Sequence, residues 1–242
     1  MTDIRFTAPG ATVPAYLAVP DGEGPWPGIV IVHDAFGMTA DIMRIADRFA
    51  SNGYLAMVPA LYQHGRKPAC IVSTFRSLSS GHGVAVDDIV AARDHLVADP
   101  RCTGRVASVG FCMGGGFCLL LAPRGVFDAT SVNYGLLPDD LSLLRGSCPM
   151  VASYGADDSR LAGAAARIEA ELVAGGVPHD LKEYPGVGHS FMNDWDTPAP
   201  LRRVVRTAGL AYYAPEAEDA WLRILDFFGE HLAAPPGPAA GR

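Results

Sequence analysis

Short apolar runs alternate with segments of helical periodicity along most of the chain. The runs Gly28–Val32 (GIVIV) and Tyr54–Val58 (YLAMV) are continuously apolar, which is typical of strands buried on both faces of a parallel sheet. Between them, Thr39–Asn52 carries apolar residues at helical spacing and is followed by Gly53, a residue that commonly ends helices. This alternation predicts an α/β fold, with a parallel sheet and helices on both of its faces.

The remaining segments extend the same pattern. Val13–Val19 is predicted to be an edge strand, because Pro14 and Pro20 bound it. Ala60–Gly83 is rich in loop residues, and a stretch of this length is usually functional or partly helical. Residues 1–232 are expected to form one domain, followed by a disordered Pro-, Gly- and Ala-rich tail over 233–242. The other predicted strands are Arg105–Gly110, Asp128–Tyr134, Met150–Tyr154 and His179–Tyr184, and the other predicted helices are Val86–Ala98, Cys112–Ala122, Leu161–Ala174 and Ala217–His231.

Composition excludes several classes of protein. Of the 242 residues, 49% are hydrophobic and 19% are charged, which excludes a disordered chain. A net charge of −7 without a basic stripe argues against nucleic acid or an anionic membrane as a partner. No signal peptide and no apolar run of about 18 residues is present. The five cysteines include no CxxC pair, so we expect no metal and a reducing, cytoplasmic location. A monomer and a homodimer both remain open.

The sharpest chemical motif is Val109–Gly115 (VGFCMGG), at a predicted junction of strand and helix. Glycines two residues before and two residues after Cys112 form the nucleophile-elbow pattern, with cysteine in place of serine. The strained central residue needs small neighbours, and its thiol lies at a helix N-terminus that favours the thiolate. The N–H of Met113 then points to where an oxyanion would form. The alternative is a buried structural cysteine, the role we expect for Cys102 and Cys118.

A nucleophile of this kind needs a base and a residue that orients the base. Elbow enzymes place the acid and then the histidine after the nucleophile in the chain. Asp157 follows a predicted strand and is predicted to be the acid, while Asp158 is predicted to cap the next helix. His189 lies in a Gly-rich turn after the last strand and is predicted to be the base. A lone histidine is more often a surface residue, but here position and chain order agree.

Five segments in the order of a known family carry a resemblance. They are VHDAFGM (Val32–Met38), GYLAMVPALY (Gly53–Tyr62), VGFCMGG (Val109–Gly115), YGADD (Tyr154–Asp158) and YPGVGHSFMND (Tyr184–Asp194). With them the chain resembles the dienelactone hydrolase family, within the α/β-hydrolase superfamily. The resemblance implies a mostly parallel sheet of about eight strands without a separate cap domain. It also implies hydrolysis of esters and lactones by a triad of Cys112, His189 and Asp157.

The resemblance assigns two further roles near the thiol. The founding members of the family have a glutamate that contacts the resting thiol, and this chain has the shorter Asp34 at that place. Asp34 is therefore predicted to be the thiol-activating carboxylate, or alternatively a residue that only closes a turn. The N–H of Ala35 is predicted to be the second oxyanion donor, opposite Met113.

The substrate is less well defined by the resemblance. Dienelactone hydrolases bind a substrate carboxylate with arginines, and the matching position after the histidine is Asn193, a poor carboxylate partner beside Asp194. Arg76 is one possible replacement. Other arginines are Arg66, Arg202, Arg203 and Arg206, although a basic cluster is usually a solvated face. Aromatic residues that could line an apolar pocket, or belong to the core, are Phe36, Tyr62, Phe191 and Trp195.

These features predict a hydrolase of small esters or lactones that forms a thioester acyl-enzyme and needs no cofactor. The first alternative is a non-catalytic small-molecule binder or thiol sensor on the same fold. The second is another acyl-transfer enzyme, such as a thioesterase, peptidase or acyltransferase, because the thioester intermediate is common to all of them.

Overall fold

The computed structural model describes residues 2–65, 67–195 and 209–233. The strands are β1 (Thr2–Ala8), β2 (Ala11–Ala18), β3 (Trp26–Val32), β4 (Leu55–Pro59), β5 (Cys102–Phe111), β6 (Ala129–Asn133), β7 (Met150–Gly155) and β8 (His179–Tyr184). The helices of the described residues are α1 (Ala40–Ser51), α2 (Lys67–Ser80), α3 (Val84–Ala98), α4 (Met113–Leu121), α5 (Ala164–Gly175) and α6 (Ala214–His231). Two short 3₁₀ helices cover Ala122–Arg124 and Leu141–Gly146.

One eight-stranded sheet in the order β1-β2-β4-β3-β5-β6-β7-β8 forms the centre of the α/β-hydrolase fold. Strands β3 to β8 are parallel, and β1 and β2 add an antiparallel edge. The predicted parallel sheet is confirmed, and the apolar run Ile29–Val32 at its centre is fully buried. No helix in the described ranges is long and apolar enough to cross a membrane.

The prolines of the second strand had suggested an edge strand, but this strand lies inside the sheet. β2 pairs with β1 on one side and β4 on the other, and Pro14 lies opposite Arg5 of β1. The carbonyl of Pro14 accepts a hydrogen bond from the Ala60 N–H at the end of β4. The pattern had not predicted β1, because most of its residues are exposed and only Phe6 and Ala8 are buried.

The stretch Ala60–Gly83 contains α2, so it is partly helical as expected. One helix boundary differs from the prediction. Helix α5 begins at Ala164 and not at Leu161, because Gly163 adopts a left-handed φ of 71° that an α-helix cannot contain. The predicted disordered tail lies outside the described residues except for Ala233.

The connections between strands define where a site can form. The chain runs from β3 to its neighbour β4 on one side and then crosses to β5 on the other side of β3. The loops after β3 and β5 therefore diverge at the carboxyl edge of the sheet, which is where ligands bind in open α/β sheets. Cys112 and the segment beginning at His33 lie at this switch point.

Candidate active site

The turn between β5 and α4 has the backbone of a nucleophile elbow. Cys112 adopts φ 54° and ψ −113°, a left-handed conformation that is strained for a residue with a side chain. Its N–H donates to the Asn133 carbonyl, and its own carbonyl accepts from the N–H of Gly116. Strand and helix on either side hold the backbone at this angle.

The glycines of the motif allow the close approach that the elbow requires. A methyl group at Gly110 would overlap the carbonyl of Gly114, and a methyl group at Gly114 would overlap the carbonyl of Val32 in β3. No larger residue fits either position unless the backbone moves. The G-x-C-x-G spacing thus has a steric cause in the packing of β3, β5 and α4.

The first turn of α4 presents unpaired backbone donors beside the thiol. Cys112 is the N-cap of α4, and no side chain caps the helix. In the described part of the chain, no hydrogen bond takes the N–H of Met113 or the N–H of Ala35. Both donors are therefore available for an anion near Cys112, which agrees with their predicted role.

His189 makes a short hydrogen bond to Asp158, not to Asp157. Its Nδ1 lies 2.6 Å from Oδ2 of Asp158, and both residues are buried. Asp157 is exposed, and its N–H donates to the carbonyl of Val187. The prediction that Asp157 orients the histidine is therefore wrong, as is the prediction that Asp158 caps α5. The N–H of Asp158 bonds to the carbonyl of Gly155, which closes a tight turn and aims the second carboxylate back at the histidine.

The other side of the imidazole faces the thiol. The Cys112 side chain is close enough to raise the pKa of His189, so the ring interacts with the thiol as well as with the carboxylate of Asp158. Burial disfavours the imidazolium, but the bonds to Asp158 and Cys112 outweigh it and raise the pKa of His189 to about 9. Burial acts against the charge of Asp158 as well, yet its hydrogen bond to His189 keeps the pKa of this carboxyl below its ordinary value. The arrangement favours a charged histidine beside a carboxylate.

Asp34 is buried next to the site but bonds to other groups. Its Oδ1 accepts from the Phe36 N–H at 2.8 Å, and its Oδ2 accepts from Nε1 of Trp195 at 3.3 Å. Burial raises the pKa of Asp34. No hydrogen bond among the described residues joins it to the Cys112 thiol. The geometry thus supports the turn-closing alternative, and the thiol-activating role stays a prediction.

Tyr62 connects the two loops that carry the predicted oxyanion donors. Its hydroxyl donates to the Ala35 carbonyl at 3.2 Å and lies 3.5 Å from Sδ of Met113. Its ring packs edge-on against His33 with the ring centroids 4.9 Å apart. Burial, assisted by the charges of Asp34 and Cys112, raises the pKa of this phenol to about 12, so it acts as a neutral donor.

Asn193 and Phe191 do not face a substrate. Asn193 is buried, its Oδ1 accepts from the Tyr134 hydroxyl at 2.6 Å, and its Nδ2 donates to Asp41 at 2.8 Å. Phe191 is fully buried between the rings of Tyr134 and Tyr184. The burial of Phe191 supports the alternative that it belongs to the core, and the predicted pocket position of Asn193 is wrong. The turn after His189 folds inwards, and the contacts of these side chains hold it in place.

The other predicted pocket residues have different positions. Phe36 is exposed at 57%, and its ring meets Trp195 edge-on at 5.1 Å between centroids. Arg76 is exposed on α2, without a hydrogen bond to the site in the described part of the chain. The remaining arginines named as replacements, Arg66, Arg202, Arg203 and Arg206, lie outside the described residues. Among the described residues, no group of three or more His, Cys, Asp or Glu could hold a metal ion.

Sequence reasoning missed Tyr134, which supports the histidine. It adopts a left-handed φ of 41°, and its ring meets His189 at 5.2 Å between centroids. Its hydroxyl continues through Asn193 to the buried Asp41 in the first turn of α1. The sequence signal that could have identified Tyr134 is its position directly after β6, at the same edge of the sheet as Cys112.

The chain is also similar to known proteins. The model of the dienelactone hydrolase family matches residues 13–232. An Escherichia coli K12 protein provisionally assigned as a carboxymethylenebutenolidase is 29% identical, over 92% of this chain and 84% of its own length. A Saccharolobus solfataricus protein with the same assignment is 24% identical, over 93% of this chain and 96% of its own length. A crystal structure of a dienelactone hydrolase-like promiscuous phosphotriesterase from metagenomic libraries superimposes with a TM-score of 0.79 at 26% identity, and the match covers 96% of this chain and 98% of that one.

Proposed function

From the premise that the chain belongs to the dienelactone hydrolase family and is a hydrolase of the ester and lactone type, we propose a mechanism and a substrate class. Cys112 is the nucleophile, His189 is the general base and acid, and Asp158 orients the histidine. The substrates are small esters or lactones, cleaved through a thioester acyl-enzyme. The observation that carries the proposal is the chain of contacts from the strained Cys112 through His189 to the buried Asp158.

The first half of the reaction forms the acyl-enzyme. In the resting pair, the proton shared by Cys112 and His189 lies on Nε2 of the histidine, and the sulfur attacks the carbonyl carbon of the ester as a thiolate. The electron pair of the carbonyl moves onto its oxygen, which the N–H groups of Ala35 and Met113 hold as an oxyanion. When the carbonyl reforms, the bond to the leaving oxygen breaks, and that oxygen takes the proton from His189. The products are an alcohol and a thioester on Cys112.

The second half releases the acid. His189 removes a proton from a water molecule, and the resulting hydroxide attacks the thioester carbon. The same two N–H groups hold the second oxyanion. Its collapse breaks the carbon–sulfur bond, the sulfur leaves as a thiolate beside the protonated His189, and the carboxylic acid is released. Tyr62 assists both halves by fixing the Ala35 loop against Met113.

Replacement of the nucleophile tests this mechanism directly. Cys112→Ala should abolish hydrolysis of p-nitrophenyl acetate, and mass spectrometry of the wild type, quenched during turnover, should find an acetyl group on Cys112. Cys118→Ala, which changes a fully buried cysteine of α4, is the matched control and should keep the activity. Turnover by Cys112→Ala at the wild-type rate would refute the proposal. Binding of esters without turnover by the wild type would favour the non-catalytic binder.

A further inference from the structure

A cleft of about 320 Å³ opens between the loop after β3 and the loop after β4. Among the residues that the structure describes, two glycines and six side chains line it, and the side chains belong to His33, Phe36, Met38, Ala60, Tyr62 and Gln63. This volume is at the lower end of the range for small-molecule sites. The cleft lies at the carboxyl edge of the sheet, on the β4 side of the nucleophile.

The wall formed by Tyr62 places the cleft beside the reaction centre. The Tyr62 hydroxyl contacts the Ala35 carbonyl and the sulfur of Met113, the two residues proposed to hold the oxyanion. The phenol is also close enough to Cys112 to feel its charge. A group bound in the cleft would therefore lie next to a carbonyl that Cys112 attacks.

The lining carries no charged side chain among the described residues. Nε2 of His33 accepts the N–H of Leu61 at 3.3 Å, which favours the neutral imidazole. The polar group at the mouth is the amide of Gln63, which is exposed. Phe36, exposed at 57%, adds an apolar rim. A carboxylate placed here would lose hydration without gaining a cation from the described lining residues, which is costly.

We infer that this cleft is the subsite for an uncharged, largely apolar acyl group. The enzyme accordingly selects neutral esters over esters whose acyl group carries a carboxylate. This inference rests on the proposed hydrolase function of Cys112. It goes further by assigning the acyl group to a defined place and a defined chemistry.

A matched pair of substrates tests the charge preference. p-Nitrophenyl pentanoate and the p-nitrophenyl monoester of glutaric acid share a leaving group and a chain length, and differ by a terminal methyl or carboxylate. We expect kcat/KM to be about tenfold or more lower for the glutarate monoester. Gln63→Lys should raise the glutarate-to-pentanoate ratio, whereas Val72→Lys, at an exposed position of α2 outside the cleft lining, should leave it unchanged. An equal or higher kcat/KM for the glutarate monoester in the wild type would overturn the inference.

The location is tested by narrowing the cleft. Met38→Trp adds bulk to the lining and should lower the pentanoate-to-acetate ratio of kcat/KM by about tenfold. Val72→Trp introduces the same side chain outside the cleft and should leave the ratio unchanged. If Met38→Trp hydrolyses acetate with an unaltered ratio, the cleft is not the acyl subsite, although the hydrolase function stands. If the wild type hydrolyses no ester, the proposed function and this inference fail together.

Discussion

The Nδ1 atom of His189 lies 2.6 Å from Oδ2 of Asp158, while the adjacent Asp157 is exposed to solvent. Of these two neighbouring carboxylates, one is therefore buried against the histidine and the other faces solvent. The contact also fixes the imidazole so that its other nitrogen faces Cys112. The orientation of the base thus depends on one turn, in which the N–H of Asp158 bonds to the carbonyl of Gly155.

Substitution of the two carboxylates should separate their roles. Asp158→Asn keeps the size of the side chain but removes the charge that holds the imidazolium, so kcat for p-nitrophenyl acetate should fall by about 10²–10⁴-fold. Asp157→Asn is the matched control and should change kcat by less than about twofold. Steady-state kinetics of both variants measures the difference. A larger loss in Asp157→Asn than in Asp158→Asn would contradict the assignment.

The raised pKa of His189 predicts how stability depends on pH. The pKa rises from 6.5 to about 9 on folding, so the charged histidine stabilises the folded state fully below pH 6.5, and this contribution is lost as pH rises through 9. Urea denaturation should therefore find the wild type more stable than His189→Gln by a larger margin at pH 6 than at pH 10. A margin that stays constant over this range would show that the histidine is not charged in the folded enzyme.

The five cysteines should differ in reactivity towards iodoacetamide. Burial raises the pKa of Cys118 to about 11 and the pKa of Cys148 to about 12, whereas Cys112 is partly exposed at the N-terminus of α4. At pH 8 we expect Cys112 to be alkylated first, in step with the loss of esterase activity. Peptide mass mapping alongside the activity assay tests this. Inactivation that follows the labelling of another cysteine would count against Cys112 as the nucleophile.

The elbow should not tolerate a methyl group. Gly114→Ala would force Cβ into the Val32 carbonyl and should lower the free energy of unfolding by about 1–3 kcal/mol or more. Gly229→Ala in α6 is the matched control, because its Cβ would enter open space and alanine favours a helix by about 1 kcal/mol. Denaturant unfolding of both variants should give opposite signs. A neutral Gly114→Ala variant would show that β3 and α4 can separate without cost.

Local patterns were sufficient for the central sheet and the elbow at Cys112. The apolar runs identified β3 and β4, because a strand covered on both faces has to be apolar throughout. The spacing of Gly110, Cys112 and Gly114 predicted the elbow, because the motif marks a tight strand–turn–helix junction. The constraint on Gly110 comes from this unit itself, whereas the constraint on Gly114 comes from the neighbouring strand β3. The order of nucleophile, acid and histidine in elbow enzymes also predicted that the turn after the last strand carries the histidine.

The sequence by itself determined the α/β fold, the elbow at Cys112 and the choice of His189, since these depend on periodicity and on short-range steric limits. Only the tertiary structure decided between Asp157 and Asp158, which are neighbours in the chain and chemically identical. It also showed that Asn193 is an anchor rather than a substrate ligand, because Tyr134 and Asp41 reach it from distant parts of the chain. Contacts between such distant segments follow from how the loops pack at the edge of the sheet, and no local pattern contains that information.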